Sequence, residues 1–238
     1  MPVPSDSPDV ADQASVNALL SQLGALLEAI QRHDPNAGSG DSIHSVLSEH
    51  LGQPASSLPV VTDDVPNHRI TDVDIALELL ASRDPHGRVI GIGGGERRYH
   101  GGLSDLAQPT MFGMSMPVGQ VDFANVAVGP ESERMCVALG IRLFSYAGLP
   151  VAVLIRRANP RFNPQSVIEV LCADPAVTSA LLDEVHSLSV EHSVLRGQIV
   201  TFESSGFEAT SNGVTFVARP TLGAGDVILP DGVLDRVV

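Results

Sequence analysis

The second half of the chain is a series of short apolar segments at hairpin spacing, and this pattern limits the folds open to it. Alternating or β-branched runs occur in "VDFANVAV", "GIRLFSY", "PVAVLIRR" and "SVIEVLCA", followed later by "GQIVTFES" and "GVTFVAR". The letters "AGL" between the second and third runs predict a hairpin turn. Such short connections favour antiparallel pairing, because a parallel crossover needs a dozen residues or more.

One helix is predicted among these strands, over "DPAVTSALLDEVHSLSVEHS". Asp174 is placed to cap it and Pro175 to occupy its first turn. Apolar residues line one side, namely Val177, Leu181, Leu182, Val185 and Leu188. The order β-β-β-α-β-β therefore predicts an α+β fold, with a mostly antiparallel sheet covered on one face by this helix.

The first half predicts helices before this α+β domain, which we place at residues 69–220. Residues 1–12 predict a disordered tail, and residues 13–52 a small helical region. Its first helix carries an apolar stripe that packs either in a core or between subunits: Leu20, Leu23, Leu27 and Ile30. Its second helix is capped by Asp41 or Ser42 and ends at Gly52. Three prolines in residues 53–68 predict a linker or an extended crossing segment, and then Thr71 or Asp72 caps a helix over "VDIALELLAS".

The charge composition excludes several functions. All fourteen cations are Arg, so the chain has no phosphate-binding or Schiff-base lysine. A formal net charge of −14 argues against nucleic acid as a partner. No apolar stretch is long enough to span a membrane and acids fill the N-terminus, which predicts a cytoplasmic protein without a membrane partner.

The stretch "VIGIGGGERRYHGG" most resembles a ligand-binding loop. However, Glu96 stands where a dinucleotide-binding fingerprint has its third glycine. We therefore predict a strand over "RVIGI" and a tight turn at Gly93, Gly94 and Gly95, which could also contact a ligand. Arg97 and Arg98 are interpreted as solvated charges that could receive an acidic partner segment.

Other catalytic or metal patterns are weak. His44 and His50, like His186 and His192, are six residues apart and do not share a helix face, so no metal site is predicted. Cys136 and Cys172 are too few for a disulfide framework and are expected to be buried. Ser115 or Cys136 could act as the nucleophile of a small hydrolase only if folding brings a His beside it.

The end of the chain predicts a short amphipathic helix over residues 221–238. Asp231 can cap it, and its apolar side chains share one face that needs an apolar cover: Val233, Leu234, Val237 and Val238. This stripe either folds back on the chain's own domain or docks against further polypeptide. Leaving it in water would forfeit ~1.5–3 kcal/mol per side chain.

The same region carries a family resemblance. "EHSVLRGQIVTFES" and "TFVARPTLGAGDVILPDGVLDRVV" resemble the segment that leads into the ATPase core of bacterial AAA-type ATPases, and "RRYHGGLSDL" is similar to another stretch of that family. The resemblance implies an N-terminal accessory region that binds a protein substrate or adaptor in a homo-oligomeric parent, with residues 221–238 leading toward the absent core. ATP and Mg are then expected only in that missing domain, with no cofactor in this chain.

No catalytic residue can be carried over from that family, because its Walker A, Walker B and arginine-finger elements have no counterpart in this sequence. Two alternatives stay open. One is a self-contained α+β module that binds a protein or a small acidic ligand through Arg97, Arg98 and the glycine turn. The other is the Ser115 or Cys136 hydrolase.

Overall fold

The computed structural model describes residues 42–109, 116–159, 161–162, 164–202 and 214–219. The predicted stripe at Leu20, Leu23, Leu27 and Ile30 lies outside these residues, as do Ser115 and the helix with Val233, Leu234, Val237 and Val238.

The described residues form an α+β fold, as the sequence predicts. Its α-helices are α1 (Ile43–Leu51), α2 (Ile70–Ala81), α3 (Leu103–Leu106) and α4 (Pro175–Glu191). Its strands are β1 (Val60–Val65), β2 (Arg88–Ile92), β3 (Val118–Gly119), β4 (Asp122–Ala127), β5 (Glu133–Tyr146), β6 (Leu149–Arg156), β7 (Ser166–Leu171), β8 (Ile199–Phe202) and β9 (Val214–Val217). Short 3-10 helices cover Ala55–Ser57, Asn67–Arg69 and Gly95–Tyr99.

Seven strands form one sheet in which every described pair is antiparallel. The order is β1-β7-β6-β5-β2-β3, and β4 also pairs with β5. The long strand β5 pairs with β6 along one edge, and its other edge is shared by β2 and β4. The central hairpin β5–β6 turns at Ala147 and Gly148, which both have positive φ, as the predicted turn at "AGL" requires.

Helices cover both faces of the sheet, whereas the sequence predicts a cover on one face. Side chains alternate along β6, so Val153 and Ile155 face a core formed with α2 and α4. Ala152 and Leu154 face a second core formed with α1 and α3. The predicted cover by α4 is confirmed, and the helical segment before residue 53 supplies part of the second layer.

Local capping explains where two helices begin. The Ser42 side chain accepts from the Ser45 N–H at the start of α1, and Gly52 adopts the left-handed conformation after its end. Asp174 accepts from the Ala176 N–H at the start of α4, with Pro175 in the first turn. Both helix starts confirm the sequence prediction.

Three predicted features differ from the structure. Residues 53–68 are not merely a linker, because β1 pairs over six residues with β7. Neither Thr71 nor Asp72 caps α2, which begins at Ile70; buried Asp72 instead accepts from Ser193 Oγ and the Val194 N–H, both at 2.8 Å. The last two strands pair with each other in a separate two-stranded sheet and do not extend the main one.

Candidate functional site

The glycine turn after β2 is shaped by close contact with its own chain. The Gly93 N–H donates to Pro117 O at 2.8 Å, and a Cβ on Gly93 would lie 2.9 Å from that oxygen. Gly94 and Gly95 have φ of 92° and 62°, in the left-handed region that favours glycine. A Cβ on Gly94 would meet Met116 Cε at 2.8 Å. The predicted tight turn at Gly93–Gly95 is therefore present, with Gly93 packed against Pro117.

The two arginines after the turn have different environments. Arg97 is exposed and joins none of the ion pairs found in the described ranges. Arg98 Nη2 lies 2.9 Å from both Tyr99 Oη and Asp122 Oδ2, and Tyr99 Oη donates to the same Asp122 oxygen at 2.9 Å. Asp122 at the start of β4 thus holds Arg98 and Tyr99 together, and much of the hydrogen-bonding capacity of Arg98 is used within the chain.

Tyr99 connects the glycine turn to a neighbouring pocket. Its ring stacks on Phe162 with centroids 4.6 Å apart and planes 3° from parallel, and Phe162 also makes an edge contact with His100. Arg161 forms an ion pair with Glu96 at 3.0 Å on the same side. The stacking places the Tyr99 ring directly against Phe162. Tyr99 then forms one wall of the pocket.

The pocket has a volume of about 170 Å³ and lies where β4, β5 and the end of β6 meet. Its remaining lining residues are Ala124, Ala138, Arg156, Arg157, Ala158 and Asn159. Ala138 is the extra residue of a β-bulge, because adjacent Asp122 and Phe123 pair with Leu139 and Val137 respectively. Bulges of this kind often occur beside binding sites, where they redirect side chains.

Arg156 is the last residue of β6 and is only 8% exposed. One Nη group donates to the backbone carbonyl of Gly101, and its Nε has no hydrogen-bond partner within the described part of the chain. Burial lowers the pKa of the Arg156 guanidinium, and the charges of Glu169 and Asp105 oppose that effect. Arginine nevertheless stays protonated in proteins. The pocket therefore contains a nearly buried positive charge whose hydrogen-bond acceptor is neutral.

Arg157 also lines the pocket and is 4% exposed. Its N–H donates to Ala138 O at 2.8 Å, and its Nη2 to Thr71 Oγ1 at 3.2 Å. Burial is the main effect on its pKa, which is lowered, with Cys136 and Asp74 acting in the opposite direction. The Arg157 guanidinium therefore contacts α2, whereas that of Arg156 contacts Gly101 just before α3, on the other side of the sheet.

The nearest carboxylates are already engaged elsewhere. Glu169, on β7, accepts a hydrogen bond from the Leu103 N–H at the start of α3. Asp122 is held by Arg98 and Tyr99. Asp74 forms an ion pair with Arg142 at 2.7 Å. Each of these acids thus has a hydrogen bond or an ion pair with a group other than Arg156.

The structure argues against a Cys136 nucleophile. Cys136 is 1% exposed, and burial together with the nearby Asp74 charge raises the pKa of its thiol to about 11. It is therefore protonated near neutral pH, whereas the nucleophilic form is the thiolate. Cys172 is fully buried, so the prediction that both cysteines lie in the interior is confirmed.

The histidines have separate structural contacts. His44 Nδ1 lies 2.6 Å from Ala107 O and His50 Nε2 lies 3.0 Å from Val151 O, so both link α1 to neighbouring segments and are partly buried. His186 pairs with Asp63 at 2.8 Å. Within the residues that the structure describes, no group of three or more His, Cys, Asp or Glu is arranged to hold a metal ion.

Comparisons with known proteins do not assign this chain to a family. No protein-family model matches the chain, and no curated protein matches it. In the described ranges, none of the helices combines the length and apolar character needed to cross a membrane.

In the sequence, Arg156 and Arg157 form only a short basic pair, which does not indicate a nucleic-acid interface. The missed signal is its position directly after the apolar run "PVAVLI" of a central strand. Charges at the end of a buried strand can face a pocket as well as solvent, and the neighbouring alanines leave the space for one. The bulge at Ala138 depends on pairing between strands, which one sequence does not specify.

Proposed function

We propose that this chain is a partner-binding accessory region of a cytoplasmic AAA-type ATPase, and that it binds a protein substrate or adaptor while ATP hydrolysis takes place in another domain of a homo-oligomeric parent. The proposal depends on the resemblance over residues 190–238 and on one structural relationship. The resembling segment begins at the end of α4, and its strands β8 and β9 pair only with each other among the described strands.

This arrangement fits a domain followed by a connector. The seven-stranded sheet has its own cores on both faces, and α4 closes one of them through Leu181 and Val185. The β8–β9 pair follows this unit in sequence and contacts it through the edge-on rings of His68 and Phe202, whose centroids are 5.2 Å apart. A connector of this kind can transmit a change in an accessory domain without belonging to its core.

The test compares ATP binding by this chain and by a longer chain that includes the coding sequence downstream. Calorimetry with Mg-ATP should give no heat of binding for residues 1–238 and saturable binding for the longer chain. A matched variant of the longer chain, with the lysine of its G-x-x-x-x-G-K-[ST] loop replaced by alanine, should lose that binding. Tight ATP binding by residues 1–238, or a downstream sequence without such a loop, would overturn the proposal.

A second candidate is a self-contained module that binds a small acidic ligand. The observation that favours it is the pocket with Arg156 and Arg157, which does not require any further domain. The two candidates differ in what the downstream sequence encodes, and so the same comparison separates them.

A further inference from the structure

Arg156 differs from the other buried charges in the described part of the chain. Buried Arg142 lies 2.7 Å from Asp74, and buried Asp72 lies 3.5 Å from Arg69. Arg156 is equally inaccessible, but its hydrogen bond goes to a neutral acceptor, the backbone carbonyl of Gly101. Burying a cation without a direct counter-charge is costly, and an anion placed beside it would remove part of that cost.

We propose that the pocket lined by Arg156, Arg157 and Tyr99 binds a small monocarboxylate. This inference does not depend on the proposed link to an AAA-type ATPase. A carboxylate fits the planar donor geometry of a guanidinium, and charge-assisted hydrogen bonds of this kind are about twice as strong as neutral ones. Arg156 lines this pocket, and its guanidinium donates to a neutral backbone carbonyl rather than to a carboxylate.

The rest of the pocket selects a carboxylate with a short apolar stem. Ala124, Ala138 and Ala158 provide methyl groups, and Tyr99 provides an aromatic wall. The volume of about 170 Å³ is close to that of an apolar cavity of ~150 Å³ that holds one benzene ring. A group the size of butyrate or benzoate therefore suits the space, whereas a phosphate dianion would place several oxygens against methyl groups that cannot donate to them.

The same chemistry could come from a free carboxylic acid or from the C-terminal carboxylate of a peptide. The titration uses sodium butyrate, sodium benzoate, sodium phosphate, and a hydrophobic tripeptide with either a free or an amidated C-terminus. The arginine Nε–H signals are followed by NMR at constant ionic strength, and calorimetry measures affinity. A response to the free but not the amidated peptide identifies a C-terminus as an additional source, and a response to the small acids alone identifies the free acid.

Two alanine substitutions on β4 provide a matched pair. Ala124→Leu fills the pocket without removing a charge, and it lies at a partly exposed position where the fold can accept it. Ala127→Leu makes the same change on the same strand at an exposed position outside the pocket. We expect Ala124→Leu to weaken butyrate binding about tenfold or more, equivalent to 1.4 kcal/mol, with Ala127→Leu within twofold of the wild type.

Arginine variants test the charge. Arg156→Met should abolish the response, while Arg88→Met, which removes an exposed arginine on β2 outside this pocket, should retain it. If Arg156→Met does not fold, the comparison of butyrate affinity between Ala124→Leu and Ala127→Leu tests the proposal instead. The proposal is overturned if neither acid nor the free peptide gives a saturable shift up to ~20 mM, a range that includes weak millimolar sites. Preference for phosphate, or equal binding by Ala124→Leu and Ala127→Leu, would also overturn it.

Discussion

Asp74 on α2 and Arg142 on β5 form a buried ion pair, with Oδ1 and Nη2 2.7 Å apart. The other oxygen of Asp74 accepts from the Val137 N–H at 3.0 Å, one residue before the bulge at Ala138. One carboxylate therefore fixes a covering helix to two positions of the central strand.

Asp74→Leu should lower the free energy of unfolding by about 3–5 kcal/mol, because it leaves the Arg142 charge buried and unpaired. Urea unfolding followed by circular dichroism measures the change. The double variant Asp74→Leu/Arg142→Met removes both charges and should be more stable than Asp74→Leu alone. If the losses of Asp74→Leu and of the single variant Arg142→Met simply add in the double variant, the pair is not an energetic unit.

Ala147→Asn should stabilise the β5–β6 hairpin. Ala147 has a φ of 50° and precedes Gly148, whose φ is 81°, so the turn needs two residues in the left-handed region. Alanine is strained there, by about 1 kcal/mol, whereas Asn-Gly is the preferred pair for such a turn. Thermal unfolding of Ala147→Asn should occur at a higher temperature than that of the wild type. Gly148→Ala is the opposing control and should unfold at a lower temperature.

The sequence was sufficient to predict helix caps and tight turns whose contacts lie within a few residues. The caps Ser42 and Asp174 and the turn at Ala147–Gly148 each involve contacts within a few residues, and the structure contains all of them. Asp72 resembles a cap equally well, yet its carboxylate contacts Ser193 and Val194 more than a hundred residues away. Sequence alone does not distinguish a local acceptor from one used by tertiary structure.

The candidate site depends mainly on contacts between residues that are far apart in the sequence. The glycine turn was predictable because three adjacent glycines favour positive φ, and two of them have it. The pocket requires Tyr99, Ala124 and Arg156 to meet across three segments, which follows from strand order and the register of β4 against β5. β1 was missed for a similar reason, because its proline-rich surroundings indicate a linker while its partner β7 lies a hundred residues later.

Cys136 should make the protein less stable above pH 9. Burial raises the pKa of its thiol from 9.0 to about 11, so in the unfolded chain it ionises at a lower pH than in the folded one. The unfolded state then binds fewer protons between pH 9 and 11, and the free energy of unfolding falls as the pH rises through that range. The chain has no lysine that would titrate there.

Urea unfolding at pH 8, 9 and 10 tests this effect against Cys136→Ala. Burial and its hydrogen bond to Glu184 also raise the pKa of Tyr146, from 10 to about 12, but this residue is present in both proteins and so does not obscure the comparison. The wild type should lose stability from pH 9 to 10, and Cys136→Ala should lose less. Parallel pH profiles for the two proteins would mean that Cys136 ionises in the folded protein as it does in the unfolded chain.

Gly91→Ala should be among the most damaging single-methyl changes near the site. Gly91 lies opposite Gly119 in the β2–β3 pair, and an added Cβ would lie 2.0 Å from the backbone carbon and oxygen of Gln120. Backbone atoms cannot rotate away as a side chain can, so the strands must separate. We expect a loss of at least ~2 kcal/mol in the free energy of unfolding, at the upper part of the range for overpacking.

Gly95→Ala provides the comparison for that change. Gly95 has a φ of 62°, but no atom would lie within 4 Å of an added Cβ, so only backbone strain of about 1 kcal/mol is expected. Chemical denaturation of the two variants should therefore rank Gly91→Ala well below Gly95→Ala. An equal loss of unfolding free energy for both variants would show that the close approach of β2 and β3 at Gly91 costs no more than the backbone strain at Gly95. The contact between these strands would then contribute little to holding the turn beside the arginine pocket.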